Sequence, residues 1–172
     1  MDLMDFDGKG LYFDEELPEE VSSLIDMAAD NYSHESAESY LLRAYFLAPA
    51  NLTVLVAMYR FYYYRHQLED ACKVAERALD ISGQALEMPK QWQQLNERYL
   101  GNAVVHSIGL LRFYLLALKG AGYLKLRLGI IDEGMAMLQK VIDMDPHDRL
   151  GTKGLLEVVA ESEYINKQSV AM

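Results

Sequence analysis

His34–Pro49 reads HESAESYLLRAYFLAP, and the spacing of its small residues decides the fold. Ala37, Leu41 and Ala44 fall on one face of a helix, and Pro49 ends that helix because it cannot continue the hydrogen-bond ladder. Thirty-four residues further on stand Ala71, Ala75 and Ala78, with Gly83 in the place of the proline. Near the other end Gly134, Leu138, Val141 and Pro146 repeat the offsets 0, 4, 7 and 12. Small residues at helical spacing let two helices approach closely, so each recurrence marks the second helix of a pair.

Working outward, the chain reads as helix nearly throughout, with no strand-like alternation. The first helix of each pair turns Val21, Leu24, Ile25 and Ala28 inward in unit 18–51. In unit 52–85 the inward residues are Leu55, Met58, Tyr59 and Tyr62, and in unit 115–148 they are Leu118, Ala121 and Gly122. Gly129 falls at the turn of the last unit, where a left-handed residue is often required. The 29 residues 86–114 are an insert, either a degenerate helical pair or a helix extending the third unit. Pro89 is expected to open a helix bearing the stripe Trp92, Leu95 and Tyr99, and Gly101-Asn102 to break it. One long helix is then expected from Ala103 to about Leu128. The tail 149–164 reads as a capping helix with Asp148 as N-cap and Leu155, Leu156, Val159 and Tyr164 on the covering face.

A period of 34 residues with small residues at helix contacts resembles the tetratricopeptide (TPR) family. The resemblance implies an all-α, TPR-like helix–turn–helix solenoid of about three repeats, with a helical insert and a C-terminal capping helix. Lys125 departs from the family pattern, standing where an aromatic ring is usual. The resemblance also gives a reading of RFYYYRHQLEDA, Arg60–Ala71. Its four consecutive rings sweep roughly 300° around a helix axis and so cannot share one face. In TPR folds the first helix of each pair lines a concave groove. Counted here, the groove holds Glu19, Ser22, Asp26, Ala29 and Asp30, then Thr53, Val56, Arg60, Tyr63 and Tyr64, then Leu116, Lys119, Tyr123, Leu126 and Arg127. It runs from acidic through aromatic to basic. Arg60, Tyr63, Tyr64, Lys119, Tyr123 and Arg127 are the expected partner-binding residues, since Tyr and Arg commonly anchor interfaces. Tyr63→Ala with Arg60→Ala is expected to weaken partner binding at nearly constant thermal midpoint.

The 172 residues, 51% hydrophobic and 24% charged, suit a single domain with a sizeable core, here 18–172 after an arm 1–17. The net charge of −10 is unevenly placed. Residues 1–36 hold eleven Asp/Glu and one Lys, whereas 37–172 hold fifteen of each sign. Such a terminus would repel nucleic acid and anionic membranes, and suits either a basic partner or plain solubility. It either fills the basic end of its own groove or is a loose tail. No apolar run approaches 18 residues and no export signal is read, so the expected location is cytoplasmic. A single cysteine, Cys72, agrees with a reducing compartment.

No constellation for chemistry is legible. His34, His66, His106 and His147 stand far apart, and none has a second His or Cys at ligand spacing. Cys72 reads as a buried inert thiol. Gly8-Lys9-Gly10 and Gly151-Thr152-Lys153-Gly154 lack the phosphate-loop spacing, and Asp5-Phe6-Asp7-Gly8 lacks the glutamate that would complete a calcium loop. The nine methionines are scattered and read as gap-fillers. The chain is expected to be no enzyme and to hold no cofactor or metal.

LLRAYFLAPANLTVLVAMYRFYYYRHQLEDACKVAERAL, 41–79, with LLRFYLLALKGAGYLKLRLGIIDEGMAML, 110–138, is similar to the small TPR proteins encoded among nitrogen-fixation genes, the nitrogenase-associated factor T family. The resemblance covers roughly residues 11–160. It implies a non-enzymatic accessory protein that binds the nitrogenase molybdenum–iron protein during maturation, repair or protection. Two rival readings stand beside it. Type III secretion translocator chaperones share the size, acidity and three TPR units, but lack such an insert. A dimeric scaffold would self-associate through Trp92, Leu95 and Tyr99.

Overall fold

The computed structural model describes residues 17–159, which form helices and turns with no strand among them. In chain order these are α1 (Glu19–Asp30), α2 (Ser36–Leu47), α3 (Leu52–Tyr64), α4 (Leu68–Ala85), a 3₁₀ turn (Trp92–Gln94), α5 (Glu97–His106), α6 (Ile108–Arg127) and α7 (Ile131–Met144). A last helix, α8, runs over 152–159 of the described residues. α1 packs on α2, α3 on α4 and α6 on α7, each pair joined by a short turn. The pairs also stack on one another, α2 on α3 and α4 on α6.

The caps and turns explain where these helices begin and end. Asn51 caps α3 by accepting from the amides of Thr53 (3.0 Å) and Val54 (3.3 Å). At the other end of α3, His66 is left-handed (φ 58°), the Gln67 amide donates to the Tyr62 carbonyl and the His66 amide to that of Tyr63. This double bond is the Schellman termination. Gly129 (φ 80°) ends α6 in the same way, with Ile130 donating to Lys125 and Gly129 to Leu126. His66 and Gly129 are 63 residues apart, the 34-residue period plus the 29-residue insert. Glu87 (φ 54°) closes α4 with the same bond pattern.

The small residues at the 34-residue offsets lie at the helix contacts. Ala37, Leu41 and Ala44 on α2, Ala71, Ala75 and Ala78 on α4, and Gly134, Leu138 and Val141 on α7 are all buried. The closest approach is between α6 and α7. A Cβ on Gly134 would stand 2.8 Å from the Gly122 carbonyl oxygen and 2.8 Å from Leu126 Cγ, closer than real Cβ atoms come. α6 lies between α4 and α7, with Phe113, Leu118, Ala121 and Leu124 wholly enclosed. That position explains why it is apolar on nearly all sides.

The insert differs from expectation. Pro89 opens no helix; the chain is irregular there and makes one 3₁₀ turn at Trp92–Gln94. Trp92, Leu95 and Tyr99 therefore do not share one helix. Leu95 is buried in the core, and Trp92 and Tyr99 are half-buried against it, so they form no free self-association stripe. Gly101 and Asn102 sit inside α5, and the break comes at Ser107, whose extended backbone (φ −163°, ψ 112°) separates α5 from α6. The Ser107 hydroxyl caps α6 at the Leu110 amide (3.1 Å), so the expected long helix is two helices. α6 consequently starts at Ile108, before the expected boundary at 115. Leu86, Leu95 and Ala103 anchor the insert, and the Lys140 ammonium on α7 donates to the Leu95 carbonyl (3.1 Å). The detour leaves α6 directly against α4.

At the C-terminal side Asp148 does cap the last helix, from four residues upstream of the first capped amide. Its Oδ1 accepts from Thr152 (2.7 Å) and Lys153 (3.1 Å). Leu155, Leu156 and Val159 are half-buried, while Tyr164 and the arm up to residue 16 lie outside the described residues.

Candidate functional site

Four of the six expected partner-binding residues come together across the contact of α3 and α6. Tyr59 is fully enclosed and stacks on Tyr63, with ring centroids 5.9 Å apart and planes 19° apart. Tyr63 then meets Tyr64 edge-on (5.8 Å) and Tyr123 of α6 at a tilt (6.4 Å). The Arg127 guanidinium donates to the Tyr123 hydroxyl (3.0 Å) and lies 5.8 Å from the centre of its ring. The Tyr123 bond, named first, and its charge hold Arg127 above the ordinary arginine range. The result is a strip of rings rooted in the core and ending in an exposed arginine. Tyr64, 59% exposed, is the strip's outward ring. Arg60, half-buried, lies one helical turn before Tyr63 and Tyr64.

The aromatic run thus divides its rings between roles. Phe61 and Tyr62 face the core and the preceding pair: Phe61 meets Tyr32 edge-on (5.8 Å), and the Tyr62 hydroxyl donates to Glu38 of α2 (3.1 Å). Burial, and then that bond to Glu38, raise the Tyr62 hydroxyl far above the ordinary tyrosine range.

Lys119 does not belong to the site. It is buried (5% exposed) and its ammonium donates to the Leu150 carbonyl (2.8 Å), tying α6 to the segment before α8. Counting helical positions alone could not show this, because the acceptor comes from a turn 31 residues away. Lys125, the residue that departs from the TPR pattern, is also buried. It bridges Glu76 of α4 (2.7 Å) and Glu133 of α7 (3.1 Å). It occupies the position of Tyr62 one unit on and likewise reaches back to a carboxylate of the preceding pair. Burial opposes its charge, but the two carboxylates prevail and hold the ammonium above its ordinary pKa. Cys72 is buried, and burial followed by the nearby Glu76 charge pushes its thiol up to about 11.

Two features were not foreseen. A cavity of about 500 Å³ lies between the start of α6 and the end of α7, lined by Val104, Ile108, Leu115 and Met144 with Arg112 and Arg149. On the outer side of α2, Leu42, Phe46 (84% exposed) and Leu47 are left uncovered. No group of three or more potential metal ligands occurs among the described residues, and no helix there is long and apolar enough to cross a membrane.

A curated relative, the "uncharacterized 19.8 kDa protein in nifW 5'region" of Azotobacter chroococcum mcd 1, is 50% identical over 161 residues, 94% of this chain and 90% of that protein. The chain belongs to this nif-region family. Half the positions are shared over nearly the full length of both proteins, so the likeness takes in the helix pairs, the insert and the aromatic strip alike. No family model matches the chain, and no solved structure does.

Proposed function

We propose that the chain is a cytoplasmic, non-enzymatic accessory factor of nitrogen fixation, built as a TPR-like solenoid, that binds the nitrogenase molybdenum–iron protein. Two lines support the scaffold: small residues at 34-residue offsets pack the helix pairs, and the stack passes from α4 to α6 past the insert. The name of the 50% identical relative supports the physiological setting. The observation that carries the binding role is the ring strip across α3 and α6, with Tyr64 exposed at its outer end and Arg127 beside it. Rings already stacked on the core lose little freedom on binding, so they suit an interface anchor.

The factor would act by preferring one state of its client. A protein that binds an immature or damaged form more tightly than the finished one raises that form's population in proportion to the difference in affinity. The test is binding of Tyr64→Ala, Arg127→Ala double variant to purified cofactor-deficient molybdenum–iron protein. Affinity should fall about tenfold or more, the loss of one modest anchor, at an unchanged thermal midpoint. Unchanged affinity would refute the strip as the docking face.

A further inference from the structure

The strip also indicates the chemistry of what it holds. Its accessible atoms are tyrosine rings and guanidinium groups, which together favour carboxylates interspersed with aromatic or aliphatic side chains. The chain carries such a segment. Residues 1–16, MDLMDFDGKGLYFDEE, hold six Asp/Glu against one Lys, with Phe6, Tyr12 and Phe13 between them. This segment leads into Leu17, which is half-buried against the core. It starts beside α1, whose Glu19, Glu20, Asp26 and Asp30 are all exposed and would repel it. α1 touches α3, and Arg60 on α3 and Arg127 on α6 lie beyond.

The reach is sufficient. Packed helices lie about 8–10 Å apart, so crossing from α1 over α3 to α6 takes about 20 Å. Sixteen extended residues span up to about 50 Å. Tyr12 and Phe13 could then lie near α3, while Asp5, Phe6 and Asp7 reach α6.

We propose that the partner groove recognises an extended acidic segment with aromatic anchors, and that residues 1–16 of the chain itself are its resident occupant, displaced when a client binds. This rests on the reading of the strip as a docking face. It adds a control: if the arm fills the groove nine-tenths of the time, client affinity is reduced about tenfold.

The test uses the full chain with a spin label on Met4→Cys, Cys72 being buried and so protected from the reagent. Paramagnetic broadening of amide and ring resonances then reports where the arm lies, with no client present. Strong broadening at Tyr64, Tyr123 and Arg127 is expected, weakened by Arg127→Glu. It should also weaken in about 1 M salt, where charges are screened beyond about 3 Å. The salt series needs no further substitution and so covers the case of a poorly folded variant. Broadening that is absent, spread evenly over the surface or indifferent to both treatments overturns the inference. Such a result leaves the accessory-factor reading standing, because that reading depends on client binding and not on the arm.

Discussion

At the scale of single residues, two glycines in helices make opposite predictions from the same chemistry. Alanine normally stabilises a helix relative to glycine by about 0.5–1 kcal/mol. At Gly101 on α5 a Cβ would meet nothing within 4 Å, so Gly101→Ala should stabilise by about that amount. At Gly134 the same Cβ meets a carbonyl oxygen at 2.8 Å, and backbone cannot rotate away as a side chain can. Overpacking of this kind costs about 1–3 kcal/mol, which exceeds the propensity gain. Gly134→Ala should therefore lower the urea midpoint while Gly101→Ala raises it. His66 gives a third case. A left-handed L-residue costs about 1–2 kcal/mol, and glycine gives back about 0.5–1 kcal/mol in the unfolded chain. His66→Gly should be more stable by about 0.5–1 kcal/mol, readable in the same titration. Gly129 was legible in the sequence because glycine advertises a left-handed turn. His66 was not, since histidine carries no such signal and only its 63-residue offset from Gly129 exposes it.

At the scale of elements, the junction of α4, α6 and α7 depends on Lys125. Removing both Glu76 and Glu133 would leave a buried ammonium unpaired, at a cost of about 3–5 kcal/mol. Lys125→Met removes the charge itself and leaves two half-exposed carboxylates that water can solvate, so its effect should stay within about 1 kcal/mol of zero. Chemical denaturation of the Glu76→Ala, Glu133→Ala variant beside Lys125→Met separates the two cases. α8 makes a pH prediction. The Lys153 amide first, with the Thr152 amide, holds the Asp148 carboxylate below its ordinary value of 3.8. A depressed folded pKa means the cap is complete above that ordinary value and is lost as the pH falls through the lower one. Hydrogen exchange at Thr152 and Lys153 should quicken in that acid window ahead of the rest of the protein, and Asp148→Ala should quicken it at neutral pH. The paired helices could be read from the sequence because small residues fix their contacts locally. The insert could not. Pro89 and Gly101-Asn102 are local breaking signals, but burial of Leu95 and Ala103 decides where the chain turns, and that depends on residues far along the chain.

At the scale of the whole molecule, three stacked helix pairs place α3 beside α6, and only that stacking joins residues 60–64 to residues 123–127. The sequence named Tyr63, Tyr64, Tyr123 and Arg127 through the groove counting, and the structure unites them. It moves Lys119 into the interior, where it holds the Leu150 carbonyl. It also changes the choice of variant. Tyr63 stacks on the enclosed Tyr59, so Tyr63→Ala would open a gap at the edge of the core and lower stability together with binding. Tyr64 and Arg127 are the residues whose loss should affect a partner alone. The central claim is that this molecule is a nitrogenase-binding accessory factor. The most direct measurement is recovery of the tagged full chain from its native cells, grown with and without fixed nitrogen, with co-purified proteins identified by mass spectrometry. The account predicts molybdenum–iron protein subunits in the nitrogen-starved sample, lost from the Tyr64→Ala, Arg127→Ala variant. A nitrogen-starved sample in which the chain is abundant and those subunits are absent would contradict it.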